Sequence, residues 1–353
     1  QRDGVLLLFR SVQAGVSVRS ELIRGETIMP EIRQDVTTKE WVIFAKERAK
    51  RPEDFKREVN RELPSPHVDS CPFCTGIESM TISEVYRQPS PPGISGVDWG
   101  VRVVPNLFPA LVDKGGLARI AEGNLFHRLD GVGQHEVVIE TPLHNRFIHE
   151  MRDDEVVAIV DAYRARFAEL RDDGWFKAIL IFKNHGKAAG TSLEHPHSQI
   201  IATPVVPAHI RNKYEIATVY FDDTERCIYC DVVHEEITLG KRIVLLTDAF
   251  VVFHPFASRA PFETWIAPLK HRSSFGRITD GEAADFARVL RIILKKMYVG
   301  LGNPDFNYVI HTAPLTEEDK HYYLWHLQIM PRLTTPAGFE LGSGMSINTA
   351  LPE

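Results

Sequence analysis

The sequence predicts an α+β fold made by duplication, with two similar units that each carry a mostly antiparallel sheet and packed helices. Three observations point there. The four cysteines fall as two matched pairs, Cys71-Pro-Phe-Cys74 and Cys227-Ile-Tyr-Cys230. Each pair is followed by the same succession of strand-like and helical segments. Histidines recur at matching places, His144 and His195 standing 51 residues apart and His271 and His326 standing 55 apart.

In the first unit a strand-like run from Glu136 ends Pro-Leu-His144, an amphipathic helical stripe covers Asp153 to Leu170, and Ala178–Phe182 reads as a strand. The unit closes on His195-Pro-His197-Ser-Gln199-Ile-Ile-Ala-Thr-Pro204. In the second, Glu263 to His271 matches the first strand, Gly281 to Val299 the helix, and Phe306–Ile310 the next strand. It closes on Trp325-His326-Leu-Gln328-Ile-Met-Pro331. The units are expected to span residues 29–204 and 205–353, meeting near Pro204 and Pro207. Residues 1–28 read as a leader or flexible extension.

Apolar residues make up 44% and charged residues 25%, the balance of a globular chain, and 353 residues are enough for two domains. A net charge of −6 argues against nucleic-acid binding, and no apolar run is long enough to span a membrane. Four cysteines confined to two CxxC pairs suit soft divalent metal sites better than disulfides, and reduced thiolates point to a cytoplasmic location. Each half offers two cysteines and two histidines, enough for a closed, structural Zn²⁺ site: Cys71, Cys74, His144 and His195, then Cys227, Cys230, His271 and His326. The second set would also accept another divalent metal. The other histidines, among them His135, His149, His185, His311 and His321, fit no position in both halves and read as surface or loop residues.

The segment Asn184-His-Gly-Lys-Ala-Ala-Gly190-Thr-Ser192-Leu-Glu-His195-Pro-His197-Ser-Gln199 carries the chemistry. Its glycine-bearing loop offers backbone N–H groups and a hydroxyl to a phosphate. On the following strand His195, His197 and Gln199 alternate onto one face. A closed metal site takes one of the two histidines and leaves the other for attack on phosphorus, assisted by Gln199 and Ser192. Spacing does not say which is which.

The pattern Asn-x-Gly-x3-Gly-x-Ser-x2-His-Pro-His-x-Gln resembles the active-site signature of galactose-1-phosphate uridylyltransferases, in the histidine-triad superfamily, and the likeness runs from about residue 31 to the C-terminus. It implies a duplicated histidine-triad-like fold, His195 as metal ligand and His197 as nucleophile. Arg48 and Arg51 resemble the family's phosphate-binding arginines, and Asn106 in Pro105-Asn-Leu-Phe-Pro its nucleotide-side loop. Asn184 and Gly190 fall within the signature as substrate-binding positions. The implied reaction is ping-pong: UDP-glucose and galactose 1-phosphate give glucose 1-phosphate and UDP-galactose through uridylyl-His197, in a homodimer acting on nucleotide-sugar and sugar-1-phosphate substrates. Ser343 and Gly344 depart from the family, whose members present a tyrosine and a glutamate to the hexose there. A plant-type branch that acts on ADP-sugars has a similar small-residue segment and a second Cys2His2 site. An ADP-sugar phosphorylase or adenylyltransferase is therefore the alternative, and a zinc-ribbon binding module is the alternative of another class.

Overall fold

The computed structural model describes residues 29–45, 65–91 and 97–353. The extension at 1–28 and both Arg48 and Arg51 lie outside the described residues. The strands are β1 (Glu31–Gln34), β2 (Trp41–Phe44), β3 (Tyr86–Gln88), β4 (Val101–Pro105), β5 (Ile120–Glu122), β6 (Phe126–Arg128), β7 (Gln134–Ile139), β8 (Ala178–His185), β9 (His197–Thr203), β10 (Ile243–Leu246), β11 (Phe250–Phe253), β12 (Thr264–Pro268), β13 (Phe306–His311), β14 (His326–Pro331) and β15 (Ser346–Asn348). The helices are α1 (Asp153–Asp172), α2 (Ala208–Thr224), α3 (Ile228–Leu239), α4 (Asp280–Leu301) and the short α5 (Gly338–Ser343).

Ten strands form one sheet in the order β10-β11-β12-β14-β13-β8-β9-β7-β4-β3, and every pairing in it is antiparallel. Five strands come from each half, and the halves join where β8 meets β13. One row across the sheet shows the duplication: Trp265, Gln328, Val309, Phe182, Gln199 and Val137 are successive cross-strand neighbours. The pseudo-twofold axis passes between Val309 and Phe182. Gln328 is thus the counterpart of Gln199, and His326 that of His197 rather than of His195.

Period-2 alternation sends Ile200, Ala202, Tyr308, Ile310, Leu327 and Ile329 to one face, where α1 and α4 cover them in a single apolar core. Helices α1 and α4 form where the sequence places them. Helix α4 starts with a capping box, Thr279 Oγ1 accepting from Glu282 N–H while Glu282 accepts from Thr279 N–H, and it ends at Gly302 in the left-handed conformation. On the other face, the first cysteine pair packs with Trp99, Val104, Val137 and Ile139. Helices α2 and α3 cover the second half there, with Tyr229, Phe253, Trp265 and Tyr323.

The predicted strands 136–144 and 263–271 are shorter, ending at Ile139 and Pro268, and loops carry the chain on to His144 and His271. The residues after Pro207, where the halves meet, form helix α2. The two CxxC pairs also differ in setting. Cys71 and Cys74 lie in turns, whereas Cys227 caps the N-terminus of α3 and Cys230 sits in its first turn. Among the described residues no helix is long and apolar enough to cross a membrane.

Helix α2 buries Lys213, which has no ion pair among the described residues. Burial and the nearby Arg259 charge push its ammonium down to about 8. The folded value lies below the unfolded one, so the unfolded chain holds the extra proton between about pH 8 and 10.5, and stability rises with pH across that window. Lys213→Met should raise the unfolding free energy at pH 7 by up to about 3 kcal/mol, and the gap from the parent should narrow toward pH 10. Denaturant unfolding at both pH values checks this, and a gap that ignores pH would remove burial of the charge as its cause.

Candidate active site and metal centres

The first four proposed ligands come together. Cys74 Sγ lies 3.4 Å from His144 Nδ1 and 3.6 Å from His195 Nδ1, and Cys71 Sγ lies 3.7 Å from His195 Nδ1. Metal–sulfur and metal–nitrogen bonds of ~2.3 and ~2.05 Å at a tetrahedral angle give sulfur–nitrogen edges of ~3.6 Å, so the donors fit a Zn²⁺ ion. All four residues are buried. His195 Nε2 hydrogen-bonds the Thr141 carbonyl at 2.8 Å, which can only accept, so the ring carries its proton there and turns the Nδ1 lone pair inward. Burial holds His195 down to about 3 and Cys74 up to about 11, so metal binding must release thiol protons.

The second cluster brings together Cys227, Cys230 and His271, with Cys230 Sγ 3.2 Å from His271 Nδ1. His326 is not part of it, which corrects the expected ligand set. Its ring stacks on Trp265 at 4.3 Å between centroids, its Nδ1 hydrogen-bonds the Leu324 carbonyl at 3.1 Å, and its buried Nε2 has no partner among the described residues. The reason is register. His326 occupies the place of His197 in the duplicated row, and the residue in the place of His195 is Leu324.

His197 opens β9, and His195 lies just before the strand. Its Nδ1 is 2.8 Å from the His195 carbonyl oxygen, an acceptor only, so Nδ1 carries the proton and Nε2 the lone pair. Burial favours the uncharged ring. The ring borders a cleft of about 700 Å³ at the end of the β8–β13 seam. Beneath it Lys183 donates to the His197 carbonyl at 2.9 Å and pairs with Glu140 at 2.6 Å, so a buried, neutralised pair fixes the start of the strand.

Ser192 and Asn184 also line the cleft; Gln199, Asn106 and Gly190 do not. Asn184 Oδ1 accepts from Asn307 Nδ2 at 2.7 Å, which leaves its NH₂ available. Gly186 is a required glycine. Its φ is +82°, and a Cβ there would fall 2.0 Å from Asp305 Oδ1. Four of the backbone N–H groups in the expected phosphate cradle are taken up within the fold. Ala188 N–H donates to Asp305, and the N–H groups of Ala189, Gly190 and Thr191 bond to carbonyls within the loop. These bonds hold the loop and leave fewer backbone donors for a ligand.

Three histidines expected on the surface are buried: His135, His149 and His185. His149 lines the cleft, stacks on Tyr298 at 4.1 Å, and leaves a buried Nε2 without a partner among the described residues. Burial lowers it to about 4, so it stays neutral. His135 contacts Gln199. None of these roles shows in periodicity, because each rests on a contact with a distant segment.

Two family models, described as the N-terminal and C-terminal domains of galactose-1-phosphate uridyl transferase, match residues 23–207 and 213–340. The chain belongs to the galactose-1-phosphate uridylyltransferase family. It is 37% identical over 331 residues to an ADP-glucose phosphorylase of Arabidopsis thaliana, covering 93% of this chain and 92% of that one. It is 29% identical over 334 residues to a galactose-1-phosphate uridylyltransferase of Thermotoga maritima, covering 92% and 96%. The crystal structure of an Arabidopsis thaliana ADP-glucose phosphorylase with bound ADP-glucose superposes with a TM-score of 0.76 at 34% identity, over 92% of this chain and 96% of that one. Membership makes the chain a nucleotidyltransferase-type enzyme and displaces the binding-module alternative.

Zinc-loaded protein should hold two ions per chain by elemental analysis, and Cys74→Ser should lower the count to one with a clear loss of stability. A count of one in the parent chain would remove the second cluster as a metal centre.

Proposed function

We propose that the chain transfers a nucleoside monophosphate through a phosphoramidate on His197, with an ADP-sugar as donor and inorganic phosphate as acceptor. The observation that carries the chemistry is the tautomer of His197. The His195 carbonyl holds the Nδ1 proton, and Nε2 faces the cleft with no hydrogen-bond partner among the described residues. Nε2 attacks the α-phosphorus and the bond to the β-phosphate oxygen breaks, releasing the sugar 1-phosphate. The Nδ1–H bond to a carbonyl supports the positive charge that the ring gains. A phosphate oxygen then attacks the same phosphorus, and the P–N bond breaks to give the nucleoside diphosphate. Ser192, which makes no side-chain hydrogen bond among the described residues, and the free amide end of Asn184 line the cleft and are suited to donate to the non-bridging oxygens. Gln199, outside that lining but on the same strand face as His197, is assigned a donor role on resemblance. Arg48 and Arg51 are assigned to phosphate binding on resemblance alone.

Two features support this donor and acceptor. The ADP-glucose phosphorylase of Arabidopsis thaliana shares more sequence with the chain than the uridylyltransferase of Thermotoga maritima does. The segment expected to meet the hexose of a sugar-phosphate acceptor also offers little. Ser343 Oγ is bonded to the Phe339 carbonyl at 2.6 Å, and a side chain at Gly342 or Gly344 would meet open space. These small residues resemble the corresponding segment of the plant-type branch that acts on ADP-sugars. The reading with UDP-glucose and galactose 1-phosphate uses the same histidine and differs in base and acceptor. We also take the working unit to be a homodimer, as the resemblance implies.

Protein incubated with ADP-glucose labelled at the α-phosphorus should acquire acid-labile, base-stable label on a peptide spanning Ser192–Gln199, and phosphate should discharge it as labelled ADP. His197→Gly should lose turnover by at least ~10³-fold and take no label. Label that persists in His197→Gly would place the nucleophile elsewhere. Labelling from UDP-glucose, discharged only by galactose 1-phosphate, would reverse the substrate assignment and leave the chemistry standing.

A further inference from the structure

The second metal cluster shows three protein donors among the described residues, and the fold indicates where a fourth comes from. Cys227, Cys230 and His271 supply three donors, and a structural Zn²⁺ site is four-coordinate. In the first half the fourth ligand stands two residues before His197; the matching position before His326 is the apolar Leu324. His321 stands three residues earlier in the same loop. Its ring centroid lies 5.9 Å from that of His271, against 5.2 Å between His144 and His195, the two imidazoles of the first cluster. His321 is exposed, so its ring can turn toward the cluster without displacing core. We infer that His321 is the fourth ligand of the second centre, which would make that centre a solvent-facing site beside the wholly buried first one. Zinc-loaded protein challenged with a chromophoric chelator tests it. His321→Ala should release one of its two ions at least ~10-fold faster than the parent, and its cobalt-substituted form should show altered visible ligand-field bands. Unchanged release and an unchanged spectrum would overturn the assignment, as would a parent chain that holds a single ion.

A separate observation concerns the amide of Gln199. His135 Nδ1 accepts from Ala110 N–H at 3.0 Å, so its Nε2 carries the proton and donates to Gln199 Oε1 at 2.7 Å. Its NH₂ is then the free end. In the duplicated row Gln328 takes the place of Gln199, and two residues before its neighbour Trp265 stands Glu263, where the first half has His135 two residues before Val137. Glu263 Oε1 accepts from Gln328 Nε2 at 2.5 Å, and His311 Nε2 is 2.8 Å from Gln328 Oε1, so both ends of that amide are occupied. With histidine in place of glutamate, only the carbonyl end of Gln199 is held among the described residues.

We infer that His135 is a positioning residue: it turns the Gln199 amide so that its N–H groups, not its carbonyl, meet the phosphoryl oxygens. The inference rests on the transfer chemistry proposed for His197. His135→Glu should present the carbonyl instead and slow label formation by ~10²-fold, the scale of one lost oxyanion donor. His135→Gln, which can still donate to Oε1, should recover most of that loss. The deciding measurement is a double-mutant cycle with Gln199→Ala. If His135 acts through Gln199, adding His135→Glu to Gln199→Ala costs nothing further. A double variant well below Gln199→Ala, or a His135→Gln variant as slow as His135→Glu, would overturn the inference. Gln199→Ala at the parent rate would instead refute the role given to Gln199 in the transfer chemistry.

Discussion

The pairing of β8 with β13 is the constraint on which the rest of the structure depends. Residues Ile181 to His185 run antiparallel to Phe306 to Ile310, joining two five-stranded sheets into one and removing the edge each half would otherwise expose. Helices α1 and α4 then share a single core across the seam, with Tyr163 and Tyr308 hydrogen-bonded at 2.7 Å from opposite halves. The cleft opens at the end of this seam, so its walls come from both halves: Asn184 and His197 from one, Tyr298 and Asn303 from the other.

Duplication sets two similar strands side by side, and small differences make them unequal. His197 has a carbonyl behind Nδ1 and a cleft before Nε2. His326 keeps the same carbonyl bond but is sealed in by Trp265, Tyr229 and Tyr323. Gln199 has one end free and Gln328 has neither. The second strand therefore serves as framework for the sheet that carries the first.

Much of this was legible in the sequence because it is local or periodic. The paired cysteines, the helical stripes of α1 and α4 and the alternating strands repeat at fixed intervals, and the first metal cluster followed from them. His326 was misplaced because matching histidine to histidine aligns the halves two residues out of step; aligning Gln199 with Gln328 restores the register. The roles of His135 and His149 depend on Gln199 and Tyr298, 64 and 149 residues away, and no spacing rule reaches that far. The glycine loop suggested a ring of backbone donors, but Asp305, more than a hundred residues downstream, takes up one of them.

That carboxylate also sets an order of assembly. Gly186 and Ala188 belong to the first half, and Asp305, which holds their loop in place, comes from the residue before β13 in the second. The N-terminal half can pair β7, β8 and β9 and bring its four metal ligands together, yet the loop beside His197 keeps only its internal hydrogen bonds until the second half has docked and Asp305 is in place. The geometry of the site is thus tied to the folding and docking of both halves.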